Sequence, residues 1–243
     1  MEQLRCSNLS VGYGEHAIAS GLNFSMHAGD YLCIVGENGA GKSTLMRTLL
    51  GLQKPVSGQM AFSPQIQKNE IGYLPQKMHA QRDFPASAGE IVLSGLQGKT
   101  GRRPFYRRSE KAEARRIMHR LSIGDLADKS FRKLSGGQQQ KVLLARALCA
   151  SGKILFMDEP VTGLDPEAAR EMYAMIGELH RDGMTIVMIS HDILSAVKYA
   201  DHILHIGDAG FFGRKEEYLC SETGKRFLDQ REVSCDEPDH DAD

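Results

Sequence analysis

The sequence predicts an α/β fold with a mainly parallel sheet, and three observations carry that reading. A glycine loop, GENGAGKS (residues 36–43), joins an apolar run at 31–35 to a helix-patterned stretch at 43–50. Two further apolar, partly β-branched runs, ILFM (154–157) and TIVMI (185–189), flank a helical pattern at 166–180. Strand, helix and strand in that order make a βαβ unit, whose strands lie parallel. From about residue 77 to 133 the alternation gives way to helical patterns at 88–96 and 109–121, so a helical insertion interrupts the α/β chain.

The elements follow in order. Residues 1–30 alternate apolar and polar side chains, for example Leu22, Phe24 and Met26, and read as strands beside the glycine loop. LQKPVSG (52–58) is a turn-rich exit from the first helix, and Ile71 to Leu74 form a short strand ending at Pro75 and Gln76. The stretch GKTGRRPFYRR (98–108) is a basic loop. Residues 134–138 open a helix running to about Ala150. From Asp229 onward the chain holds seven acids and one arginine, and reads as a solvated, disordered tail. The expected organisation is one domain over 1–228, with a helical part at about 77–150 inserted, then the tail at 229–243.

Composition limits the function classes. The chain has 243 residues, 41% of them hydrophobic, enough for a substantial core. A formal net charge of -1 gives no global attraction to nucleic acid or to anionic membrane. Five scattered cysteines (Cys6, Cys33, Cys149, Cys220, Cys235) form no CxxC pair, which argues against a zinc site and suits a reducing compartment. The start, MEQLRCSNLS, has no secretory pattern, and no apolar run approaches the roughly 18 residues of a bilayer span.

The glycine loop fits G-x-x-x-x-G-K-[ST] with the strand and helix that this motif needs. Backbone N–H groups of Gly36, Glu37, Asn38, Gly39, Ala40 and Gly41 would wrap a phosphate chain at a helix N-terminus. Lys42 would bridge the β- and γ-phosphates, and the hydroxyl of Ser43, next to Thr44, would ligate Mg²⁺. Asp158 closes the run at 154–157, and a carboxylate at the C-terminal end of a parallel strand faces the ligand side of such a sheet. It is placed for the Mg²⁺ shell. Glu159, one residue on, is the candidate for polarising an attacking water, worth roughly 10²–10⁴-fold. His191 follows the strand at 185–189 and can hydrogen-bond a γ-phosphate. LSGGQ (134–138) sets Ser135, Gly136 and Gly137 before a helix, which reads either as a second phosphate site or as an ordinary N-cap.

GENGAGKST, YLPQ, LSGGQQQ, ILFMDEP, GLD and SHD, in that order, resemble the ATPase subunit of ATP-binding cassette (ABC) transporters over about residues 4–228. The resemblance implies a P-loop NTPase core of the RecA-like kind, an N-terminal antiparallel β subdomain and a helical signature subdomain. It implies ATP as substrate and Mg²⁺ as cofactor. It gives Tyr13 to stacking on adenine and Gln76 to linking Mg²⁺ with the helical part. Ser135 and Gly137 go to the γ-phosphate of an opposite subunit, Asp165 to coupling across a homodimer, and His191 to a switch. It further implies a membrane permease partner, an extracellular substrate-binding protein acting indirectly, no nucleic acid, and a peripheral place on the cytoplasmic face of the cell membrane. Lys141 stands where arginine is commoner.

Asp83, Phe84 and Pro85 leading to Ser94 and Gly95, with DEPVTGLDP, are similar to the subgroup importing zinc, manganese or iron. Siderophore and cobalamin importers look alike here. DNA-repair relatives carry coiled-coil insertions and translation relatives carry two cassettes, neither of which this chain has. A soluble iron–sulfur assembly ATPase is nearer in size but departs from LSGGQQQ, and a pure regulator would lack Glu159 or His191. Two metal readings rank low. His202 and His205, at i and i+3 of a strand, face opposite sides, and Cys235 with His240 has loose ligand spacing. The basic loop reads first as a solvated surface, and second as a contact with the permease or with anionic headgroups.

Overall fold

The computed structural model describes residues 1–76, 85–100, 103, 105–207 and 209–234. Asp83 and Phe84 of the subgroup motif, part of the basic loop, and Cys235 and His240 lie outside them. β1 (Glu2–Tyr13) and β2 (His16–His27) form an antiparallel hairpin, and β4 (Ser57–Phe62) pairs with the other edge of β1. The main sheet is six-stranded, with β3 (Tyr31–Gly36) near its centre. Its order is β5 (Ile71–Leu74), β6 (Ile154–Asp158), β7 (Thr185–Ile189), β3, β8 (His202–Ile206) and β9 (Phe211–Arg214). All pairings are parallel except that of β9 with β8.

The β3 run is apolar without alternation because both faces are covered. Tyr31, Cys33 and Val35 pack into a core shared with the helices α2 (Ala88–Ser94), α4 (Arg108–Arg120), α5 (Gly136–Ala150) and α6 (Pro166–Arg181). Leu32 and Ile34 face the other way, onto Leu4, Leu9 and Phe24 of the antiparallel sheet and Leu45 and Met46 of α1 (Lys42–Leu49). Each such fully buried aliphatic side chain is worth about 1.5–3 kcal/mol. The chain therefore reaches the glycine loop from a strand held on both faces.

Several elements differ from the sequence reading. β4 begins inside the expected turn, at Ser57, because its Ser-Gly-Gln start is the exposed edge of the hairpin sheet and carries no apolar pattern. A short helix, α3 (Gln97–Thr100), occupies the start of the expected basic loop. Lys99 fixes it by donating to the Cys149 and Ser151 carbonyls at 2.8 and 3.3 Å, where α5 ends. After α7 (Ile193–Tyr199) and α8 (Lys215–Cys220), α9 spans Glu222–Ser234, so the backbone is still helical past Asp229, where the tail was expected to begin. Cys6, Cys33 and Cys149 are buried free thiols that desolvation pushes up to about 12, so they are inert at neutral pH. No described helix is long and apolar enough to cross a membrane.

Candidate active site

The loop after β3 is shaped by two glycines. A Cβ at Gly36 (φ 147°) would lie 2.3 Å from the Ile206 carbonyl oxygen of β8, so only glycine lets the chain turn there. Gly41 (φ 99°) is the left-handed N-cap of α1 and brings no capping side chain. The first turn of α1 therefore keeps its partial positive charge for a ligand. Lys42, 6% exposed, folds back over the loop and donates to the carbonyls of Gly36 at 2.9 Å and Glu37 at 2.7 Å. A buried ammonium held by its own loop is a cation in place for an anion.

Asp158 ends β6 opposite Ile189, the last residue of β7. It is 6% exposed and its Oδ1 is a buried oxygen without a hydrogen-bond partner. Burial pushes its carboxyl up, the adjoining Glu159 charge adds to this, and Arg47, the Ser43 hydroxyl bond and His191 oppose it. A buried carboxylate with one bare oxygen and a serine hydroxyl on it fits a small hard cation such as Mg²⁺, which takes few protein ligands beside substrate phosphates.

Glu159 has φ 50°, a sparsely populated conformation for a non-glycine residue. Its N–H donates to Ile189 O at 3.1 Å, which pins the turn to the end of β7. The turn re-aims the carboxylate along the strand ends. Gln76 Nε2, just past β5, donates to Oε2 at 2.7 Å, and the Thr162 hydroxyl donates to the same oxygen at 3.1 Å. His191 Nε2 meets Oε1 at 2.5 Å. The carboxyl ends of β3, β5, β6 and β7 thus bring together Lys42, Ser43, Gln76, Asp158, Glu159 and His191, all anticipated from the sequence. Thr162 was not anticipated; its signal is weak, a hydroxyl three residues after Glu159 in a turn.

The signature residues stand apart from this cluster. Ser135 is the N-cap of α5: its Oγ accepts from Gln138 N at 3.3 Å, while Gln138 Oε1 accepts from Ser135 N at 3.1 Å. This reciprocal capping box is the ordinary N-cap, and it takes two of the amides within the helix end. The serine O–H remains a donor for an outside group. Gly137 lets α5 approach α6, since a Cβ there would come within 3.0 Å of Ala168 Cβ. Asp165 caps α6 by accepting from Ala168 N at 2.9 Å. Tyr13 ends β1 and is 55% exposed. The other histidine pair is structural: His202 stacks on Phe212, and His205 packs edge-on to Phe227, 4.6 Å between centroids, with Nδ1 2.8 Å from Tyr218 Oη. Among the described residues no group of three or more His, Cys, Asp or Glu side chains is placed to hold a metal ion.

A glycine loop wrapped on a helix N-terminus, at the carboxyl edge of a parallel sheet and facing strand-end carboxylates, places the molecule in the P-loop nucleotide-binding class. The ABC transporter family profile matches residues 19–162. The manganese transport system ATP-binding protein MntB of Bacillus subtilis (strain 168) is 36% identical over 210 residues, 84% of this chain and 83% of its own length. The zinc uptake system ATP-binding protein ZurA of Listeria innocua is 31% identical over 238 residues, 95% and 90%. Among solved structures, a chain of an inward-facing ABC transporter described as metal-chelate type superposes with a TM-score of 0.84 at 29% identity, covering 94% of this chain and 90% of that one. This chain belongs to the ABC transporter family, as one of its ATP-binding ATPase chains.

Proposed function

We propose that the chain is the ATP-hydrolysing motor of a membrane importer for divalent metal ions, zinc or manganese first and iron next. The observation that carries the hydrolytic part is the Glu159 carboxylate, held between Gln76 at 2.7 Å and His191 at 2.5 Å beside the buried Asp158. In this reading the loop from Gly36 to Thr44 cradles the phosphates and Tyr13 stacks on the base. Ser43, Gln76 and Asp158 would hold Mg²⁺. Bound there, the ion neutralises phosphate charge as a Lewis acid.

The chain's own groups do the rest. Lys42 leaves its loop carbonyls for the phosphates. Glu159 orients and polarises the attacking water, and His191 positions it against the γ-phosphate. A second copy supplies Ser135, Gly136 and Gly137 from the opposite side, with Asp165 at the seam. Hydrolysis removes the charge that bridges the two copies, so they part, and an integral membrane permease, to which the chain binds peripherally on the cytoplasmic face, turns that motion into transport. An extracellular binding protein would deliver the ion. The working unit is residues 1–228, with the helical part at about 77–150.

The printed roles of MntB, in manganese transport, and of ZurA, in zinc uptake, support metal cargo. The metal-chelate neighbour supports a second reading, a siderophore- or cobalamin-type cargo. Cells lacking this chain separate the two. Metal import predicts lowered cellular zinc or manganese by mass spectrometry, restored by the natural chain and not by Lys42→Ala. Unchanged free-metal content with lost chelate uptake would move the cargo to the second class.

A further inference from the structure

The function above leaves one feature of the sequence unused, the basic stretch leading into α4. We propose that the exposed flank of α4 carrying Arg108, Lys111 and Arg115, with Phe105 just before it in the chain, is a contact surface for anionic phospholipid headgroups. Ala114, Ile117 and Met118 bury one side of α4 in the core. About a quarter-turn round the helix from that buried side lie Arg108, Lys111 and Arg115, all exposed. Their spacing of three, then four, residues puts them in a single row along the helix.

This row has no carboxylate of its own. The two glutamates of α4 lie on the far side of the helix from the row and are already engaged: Glu110 with Arg103 at 2.6 Å, and Glu113 with Arg116 at 2.7 Å. Among the described residues none of the three is in a salt bridge, so the row is locally basic on a chain whose net charge is -1. At the head of the row Phe105 is 82% exposed, while its neighbour Tyr106 packs against the core and anchors the turn. An exposed aromatic ring beside a line of cations matches the two layers of a lipid surface, acyl boundary and charged headgroup. A permease loop fits less well, because cytoplasmic loops of membrane proteins carry an excess of Lys and Arg and would repel this face.

Each basic side chain near an anionic leaflet strengthens partitioning about fivefold. Three of them give about a hundredfold, and the effect is screened by salt within about one Debye length. The inference does not depend on which ion is transported.

The test is cosedimentation of the purified full chain with vesicles of phosphatidylcholine, with and without phosphatidylglycerol. The natural chain should bind the anionic vesicles at least about tenfold better, and lose that binding in high salt. The triple variant Arg108→Glu, Lys111→Glu, Arg115→Glu should lose it while keeping ATP turnover, which reports that the fold is intact. Phe105→Ser should weaken it severalfold. Equal binding to both vesicles, or undiminished binding by the triple variant, would overturn the proposal. So would retention that needs embedded permease and ignores lipid charge, because the face would then belong to a protein partner.

Discussion

The strand-end cluster and the signature corner are both polar sites at helix starts, yet they are built in opposite ways. In the cluster, needs are left open: Asp158 Oδ1 is buried without a partner, Glu159 sits at φ 50°, and α1 starts without a side-chain cap. At the signature corner they are met internally, by the capping box of Ser135 and Gln138 and by Asp165 on α6. An open site lowers the stability of the ligand-free chain in exchange for affinity, whereas a closed one is rigid before its partner arrives. In the proposed function the first region receives an ion and phosphates, and the second is presented to them.

Ser135→Asp breaks the comparison most sharply. Aspartate caps a helix as well as serine does, so the melting temperature should stay within about 2 °C. A carboxylate facing an incoming phosphate should still lower ATP turnover by about 10²-fold. Turnover close to natural would mean that the corner is only a helix cap.

Asp158→Asn should act in the other direction. Turnover should vanish, yet the nucleotide-free chain should melt about 2–4 °C higher, since the amide removes a charge that burial and the Glu159 carboxylate both disfavour. The sign with pH follows from the raised carboxyl of Asp158. The folded state prefers the neutral acid, so the advantage of the variant should be full above that raised value and shrink as pH falls through it toward the ordinary one. Calorimetry over a pH series reads this directly, and a variant that melts lower at every pH would contradict it.

The smallest effect concerns the strand beside the loop, where His205 pairs in register with Val35. Burial lowers the pKa of this histidine. The unfolded chain takes up a proton near the ordinary value of about 6.5 while the folded chain does not, so stability is lost as pH drops below that value. His205→Gln should flatten this acid limb by a few tenths of a kcal/mol up to about 1. An unchanged limb in urea titrations at pH 5 and 7 would assign acid sensitivity elsewhere.

Much of this was legible in the sequence, for physical reasons. β3, β6 and β7 are covered on both faces, so their apolar runs marked them, and the glycine loop's spacing fixed α1 beside them. Asp158, Glu159 and His191 could be placed because each lies within two residues of the end of such a run. β4 was hidden by its exposed edge and α3 by its shortness. The bond from Thr162 to Glu159 depends on the left-handed turn at Glu159, which no spacing announces. The choice between cap and phosphate site at Ser135 was open in the sequence, and the structure shows the cap while leaving the hydroxyl proton available.

The claim at the centre is that a triphosphate joins the open cluster of one copy to the closed corner of another. Glu159→Gln retains the hydrogen-bonding shape of the side chain but removes the base, so bound ATP should persist. With Mg-ATP, light scattering of this variant should report a dimer of twice the 26.8 kDa chain mass, reverting on removal of nucleotide. A monomer at saturating Mg-ATP, with nucleotide bound, would contradict the account.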